Sequence, residues 1–338
     1  MHPRDVAAFA RHGNLLTRKQ ALEAGVSIEQ IDAHVRSGRW VAVRRSVYAL
    51  REFWDALDEW QGRPLYVARA ASAAMRKPHV MSHDSAALEL GLELLAPQRS
   101  LVHVTRPGVL GTRTEHGVKH HKAPYRPEQV VEVDGRRVLD MARTVADISR
   151  DRGLDAGVVT ADAAMRAGVT RAELRVALEP MRNWPNVTIG REVADLADPG
   201  AENGGESLAR MLVTELGQGR PQTQFGLTDG RREVWCDLRL GRHIFEFDGW
   251  LKYRLAQQGG FARVSPEQAL REEKQRQDFI CGFKLGVSRI VPEDLRGGAR
   301  ERARARLLRE YLDTTARFGT SIADLEPFLI QRTRRRAS

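Results

Sequence analysis

The chain has 338 residues, with 54 Lys and Arg against 44 Asp and Glu, a net charge of +10 and two cysteines. That length allows two or three domains with real cores, and 42% hydrophobic with 29% charged residues excludes a disordered chain. No apolar run reaches the ~18–20 residues that cross a bilayer, and Cys236 and Cys281 are too far apart for a disulfide framework or a Cys-rich zinc site.

The opening MHPRDVAAFARHG is not a signal peptide, so a cytoplasmic protein without membrane contact is expected. The charge is uneven. Residues 1–50 carry 8 basic and 4 acidic side chains and residues 296–338 carry 11 and 5, which leaves the 245 residues between them neutral. Two anion-facing ends are expected. Texture divides the chain into segments 1–52, 53–196, 197–295 and 296–338, an α+β multidomain protein.

Thr17–Gly25 reads as a short helix closed by glycine, and Ser27-Ile-Glu-Gln30 is a capping box that opens a second. Ile28, Ile31 and Val35 fall at helical spacing as its buried stripe, leaving Gln30, His34 and Arg36 outward. Trp40–Val43 and Val47–Leu50 follow as two strands, with Arg44-Arg45-Ser46 at their tip and Arg39 just before them. This is the element order of a winged helix-turn-helix, whose second helix enters the major groove while the wing follows the backbone. Gln30, His34, Arg36, Arg39, Arg44 and Arg45 are its candidate DNA contacts. Paired half-sites make a homodimer plausible for such a domain. The bland alternative is a helical cap with solvated arginines.

Segment 53–196 is mixed α/β, with helical runs near Ser85–Leu95, Leu139–Arg150 and Ala156–Ala167 and strand-like runs at Leu101–Thr105 and Val130–Val133. His83 stands between Ser82 and Ser85 with no evident acid or base partner and reads as a structural, hydrogen-bonded histidine. His120-His121, with His116 nearby, lacks metal-ligand spacing and reads as a solvated loop. DPGAENGG at 198–205 is a Gly-rich linker candidate.

Segment 197–295 reads helix, strand, strand, strand, helix, strand. Glu206 sits in the first turn of the opening helix, off its apolar stripe. Val234–Leu240 and His243–Asp248 meet at Gly241-Arg242, a type II′ hairpin signal. Opposed positions then sum to 483, so Leu238 faces Phe245 on an apolar side and Asp237 faces Glu246 on the other, with Asp248 two residues along. Like charges directly opposed, with Cβ atoms roughly 4.5–5.5 Å apart, destabilise a sheet. The pairing makes sense if a cation collects there, and oxygen-only ligands favour Mg²⁺ or Mn²⁺ over zinc. The bland alternative is a pair of exposed carboxylates neutralised by neighbouring arginines.

Two resemblances follow. Leu15-Leu-Thr-Arg-Lys-Gln-Ala, Ser37-Gly-Arg-Trp and Arg44-Arg-Ser-Val-Tyr-Ala resemble the N-terminal domain of AbiEi-type antitoxins of type IV toxin–antitoxin systems. Met81-Ser-His-Asp-Ser-Ala-Ala-Leu-Glu-Leu-Gly-Leu and Arg143-Thr-Val-Ala-Asp147 extend the likeness into the middle segment. It implies DNA binding, typically promoter autoregulation, and a cognate toxin protein as a partner. Glu206, Asp237 and Glu246-Phe-Asp-Gly-Trp-Leu-Lys-Tyr253, with Glu273–Asp278 and Gly286–Val291 after them, resemble the PD-(D/E)XK nucleases related to very-short-patch repair endonucleases. That likeness implies a restriction-endonuclease-like α/β domain and Mg²⁺-dependent phosphodiester hydrolysis, plausibly in defence against foreign DNA. Asp237, Glu246 and Glu206 would be the metal ligands, and Asp248 a further catalytic acid. The superfamily's lysine normally lies two residues after the strand acid, where this chain has Asp248. Lys252 is the candidate to position the nucleophile instead, with Lys274 and Arg276 on phosphate. Two functions stay open: a DNA endonuclease with an attached winged helix, or an antitoxin-like regulator with an inactive nuclease fold.

Overall fold

The computed structural model describes residues 3–96, 100–109, 111–249 and 266–330. The chain divides between Leu196 and Ala197 into two units. The first begins with α1 (Pro3–Arg11), β1 (Leu16–Thr17), α2 (Arg18–Glu23), α3 (Ile28–Arg36), β2 (Trp40–Arg44) and β3 (Val47–Leu50). The strands form an antiparallel sheet in the order β1-β3-β2. Capping boxes open both short helices: Thr17 and Gln20 for α2, Ser27 and Gln30 for α3. Phe9, Leu16, Ile31, Trp40 and Tyr48 make the core of this head. Ile28, the first residue of α3, differs from the expected stripe and is 46% exposed.

A six-stranded mixed sheet follows, with β4 (Val80–Met81), β5 (Val102–Thr105), β6 (Arg113–Glu115), β7 (Val118–His121), β8 (Val130–Val133) and β9 (Arg136–Leu139) in the order β6-β7-β5-β4-β9-β8. Helices α4 (Arg51–Ala56), α5 (Gly62–Ala74) and α6 (His83–Glu89) precede or interrupt it, and α7 (Met141–Arg152), α8 (Leu154–Arg166), α9 (Arg171–Leu178) and α10 (Val187–Leu196) complete the unit. Arg143 and Asp147, one turn apart on α7, form a fully buried ion pair at 3.0 Å.

The second unit runs α11 (Gly204–Thr214), β10 (Gln222–Thr228), β11 (Glu233–Leu240), β12 (His243–Phe247), α12 (Pro266–Gly282), β13 (Gly286–Ile290) and α13 (Gly297–Phe318). Its sheet order is β10-β11-β12-β13, antiparallel except for the parallel pair β12/β13, whose crossover contains α12. The hairpin keeps the expected register next to its turn, where Leu240 pairs with His243 and Leu238 with Phe245, but the expected Asp237–Glu246 pair is not part of the ladder. Gly241 has φ 55° while Arg242 keeps negative φ, as a II′ turn requires.

The end of the Gly-rich run is not a free linker. Asn203 caps α11, and a Cβ on Gly205 would stand 2.1 Å from the Phe247 ring, so only glycine lets α11 approach the end of β12 this closely. Nor is the segment after 296 an appendage. Ala303, Leu307 and Tyr311 of α13 are buried, and several of its arginines are neutralised within the unit: Arg300 by Glu215, Arg304 by Glu301 and Arg306 by Asp294. Arg332 and the Arg334–Arg336 run lie outside the described residues.

Candidate functional site

Three carboxylates come from three elements of the second unit: Glu206 from the first turn of α11, Asp237 from β11 and Glu246 from β12. The two-sided pattern expected of the hairpin is not kept: Cys236 is buried with Ile244 and Ile280, and its side chain hydrogen-bonds Glu246. Asp237 Oδ2 accepts a hydrogen bond from Phe247 N at 2.8 Å. Glu206 is held on both oxygens, by Glu202 N and by Asn203 Nδ2, each at 2.7 Å. Each carboxylate oxygen so engaged keeps a second lone pair.

The electrostatics of this cluster are unfavourable without a counter-charge. Burial, with the charge of Asp237 next, pushes Glu246 up to about 7, and Arg276 pulls it the other way. Burial also raises Glu206 to about 7, with Asp237 adding and the Glu202 N–H opposing. The three side chains offer only oxygen, the donor a hard divalent cation takes, but among the described residues they do not bring one oxygen each within 4.8 Å of the others.

The remaining predicted residues part company. Arg276 is not turned to solvent for phosphate: its Nη2 donates to Glu246 Oε1 at 2.9 Å and to Trp235 O at 2.7 Å. Lys274, two positions away and so on another helix face, is exposed. Asp248 leans to Arg289, 3.5 Å away, which also pairs with Glu273. Lys252 lies outside the described residues.

On the head, Arg36, Arg39 and Arg45 are exposed. Arg36 Nε reaches Asp32 O at 3.4 Å and Arg39 Nε reaches Ser37 Oγ at 3.1 Å. Arg45 sits at the hairpin tip beside Ser46, whose φ is 63°. Arg44 Nη2 instead donates to His116 O at 3.0 Å, so this guanidinium is partly committed within its own unit. Gln30 is exposed, but its Oε1 accepts from Ser27 N at 2.8 Å. His34 is not outward. Its ring stacks on Trp40 with centroids 5.0 Å apart, and its Nε2 is 3.5 Å from Asp5.

The solvated-loop reading of His120-His121 is overturned. Both lie on β7 and are buried, because the loop expected there is a strand next to β5. His121 meets His83 and His103, a group that sequence distance concealed.

Comparison with known proteins bears on the head. Residues 4–51 match the family model described as "Transcriptional regulator, AbiEi antitoxin". The N-terminal head is thus similar to the AbiEi antitoxin family. The match ends just after β3. The chain is 26% identical over 208 residues to the uncharacterized proteins MT2308 and Rv2248 of Mycobacterium tuberculosis (strains CDC 1551 / Oshkosh and H37Rv), which covers 61% of this chain and 72% of theirs. The crystal structure of the RV2827C protein of the same species aligns with a TM-score of 0.36 and 15% identity over 61% of this chain and 78% of that one. Among the described residues no helix is long and apolar enough to cross a membrane.

Proposed function

We propose that the chain binds DNA through its AbiEi-type head and hydrolyses phosphodiester bonds at a Mg²⁺- or Mn²⁺-dependent site of PD-(D/E)XK type in the second unit. The observation that carries the reading is the placing of two buried glutamates near one aspartate: burial first, and the charge of Asp237 after it, raises Glu206 and Glu246 to about 7. Support also comes from the element order α11-β10-β11-β12-α12-β13 with its parallel β12/β13 pair, onto which all three acids fall.

In this account Asp237 and Glu246 hold the cation, with Glu206 as the third carboxylate. The cation supplies positive charge to a scissile phosphate and acidifies water. Phe247 N fixes the Asp237 carboxylate, and the donors from Glu202 and Asn203 fix Glu206. Arg276 neutralises Glu246 until the cation takes over that role. Lys252 positions the nucleophile, a role taken from its place in the motif. Arg36, Arg39, Arg44 and Arg45 provide the head's phosphate contacts, and their number sets the salt dependence of binding.

One observation favours a second reading, a DNA-binding regulator with a toxin partner and an inactive C-terminal unit. Arg276 already supplies a cation to Glu246. Calorimetric titration with Mn²⁺ separates the two. The first reading expects binding that Glu246→Gln abolishes, whereas the second expects no binding to the unaltered chain.

A further inference from the structure

Three histidines separated by 20 and 18 positions meet in the first unit. In the parallel pairing of β5 and β7, Thr105 stands beside His121. His103, two residues before Thr105, therefore shares the face on which His121 projects. His103 Nδ1 and His121 Nε2 are 3.0 Å apart. His83 opens α6, which is tied to β5 by Ser82 N donating to His103 O at 3.1 Å and His103 N donating to Ser85 Oγ at 2.8 Å. Its ring stacks on His121 with centroids 3.7 Å apart and planes within 14°. Its backbone has φ 50°, a left-handed conformation that non-glycine residues rarely hold and that a site's geometry can enforce.

We propose that His83, His103 and His121 bind a transition-metal ion of the zinc class. One nitrogen from each lies within 4.8 Å of the others, and all three residues are buried. Two nitrogens about 2.0–2.1 Å from one ion at the tetrahedral angle stand about 3.3 Å apart, so the spacing fits, and binding requires the His103–His121 hydrogen bond to break and the stacked His83 and His121 rings to turn until their lone pairs converge. Imidazole is the side chain best suited to zinc, copper or nickel, and a set without carboxylate or carbonyl oxygen disfavours Mg²⁺ and Ca²⁺.

The surroundings admit a cation. Three of the basic groups that face the cluster have a carboxylate partner: Lys119 pairs with Asp151 at 2.7 Å, Arg143 with Asp147 at 3.0 Å and Arg152 with Asp84 at 3.1 Å. Arg150 shares Asp147 with Arg143, so one positive charge near the cluster is left over. Burial keeps the three imidazoles in the neutral, ligating form. His83 and His121 also line a cavity with Lys119, Arg150, Asp151 and Trp184. That cavity gives an ion a route in and leaves a coordination position for an oxygen ligand, the arrangement of three-histidine zinc sites that keep an open fourth place.

The test uses the full chain, stripped with chelator, given Zn²⁺ and dialysed. Elemental analysis should find one retained equivalent in the unaltered chain and in Asp237→Ala, which excludes the carboxylate site as its source. His103→Gln and His121→Gln should each lose it while unfolding in EDTA like the parent. X-ray absorption at the zinc edge of the unaltered chain, which needs no variant to fold, should show imidazole scattering. No retained zinc, retention by both Gln variants, or ligation by oxygen alone would overturn the proposal.

Discussion

Asp237 Oδ2 accepts the backbone N–H of Phe247 at 2.8 Å, just beyond Leu238↔Phe245 in the β11/β12 ladder. A side chain thus takes up a strand N–H where the paired positions end. The aspartate is fixed beside the backbone of the residue that follows Glu246, so its charge reaches both glutamates and makes the cluster dependent on pH.

The sign of that dependence follows from the raised values. Glu206 and Glu246 ionise near 7 in the folded chain and near 4.5 when unfolded. Between these values the native state binds more protons, so in EDTA stability is highest below about 4.5 as far as these groups decide it, and falls as pH rises to 7. Asp237→Asn keeps an acceptor for Phe247 N and removes the charge. Urea midpoints at pH 5 and 7.5 should differ less in this variant than in the parent, by about 1 kcal/mol for a shift near one unit. An unchanged difference would show that Asp237 does not raise its neighbours.

Gly205→Ala tests how closely α11 packs on β12. The added methyl meets the Phe247 ring at 2.1 Å, and relief requires the ring or the helix to move. Overpacking of this kind costs about 1–3 kcal/mol, which denaturant unfolding would measure. A variant as stable as the parent would mean that the contact relaxes freely.

Two head substitutions should separate contact from scaffold. Arg45→Ala is expected to weaken DNA binding and to reduce the slope of log affinity against log salt by about one, as loss of one phosphate contact does. His34→Ala should leave that slope alone and lower stability by about 1 kcal/mol, because its ring stacks on Trp40. The reverse pattern would contradict these assignments.

Local signals in the sequence were most legible where one short stretch carries the whole instruction. The capping box at Ser27, the glycine that closes Thr17–Gly25 and the Gly241 turn place α3, α2 and the turn end of the β11/β12 register, because each depends on residues close in the chain. Strands β6, β7 and β9 were missed for the opposite reason: they are three or four residues long and owe their strand state to partners distant in the chain. His34 was misplaced because helical spacing says which residues share a face but not that Trp40 will close over it. The arginines of α13 look like a free cationic tail in the sequence, whereas folding brings Glu215 and Asp294 to two of them. The histidine group was illegible, since its members meet only through the parallel pairing of β5 and β7 and the stacking of His83 on that face.

Plasmid cleavage tests the central claim most directly. The purified chain, incubated with supercoiled DNA and Mg²⁺ or Mn²⁺, should nick or linearise it, with no reaction in EDTA and at least a hundredfold loss in Asp237→Ala. Absence of cleavage with either metal, or equal cleavage by the variant, would contradict the account.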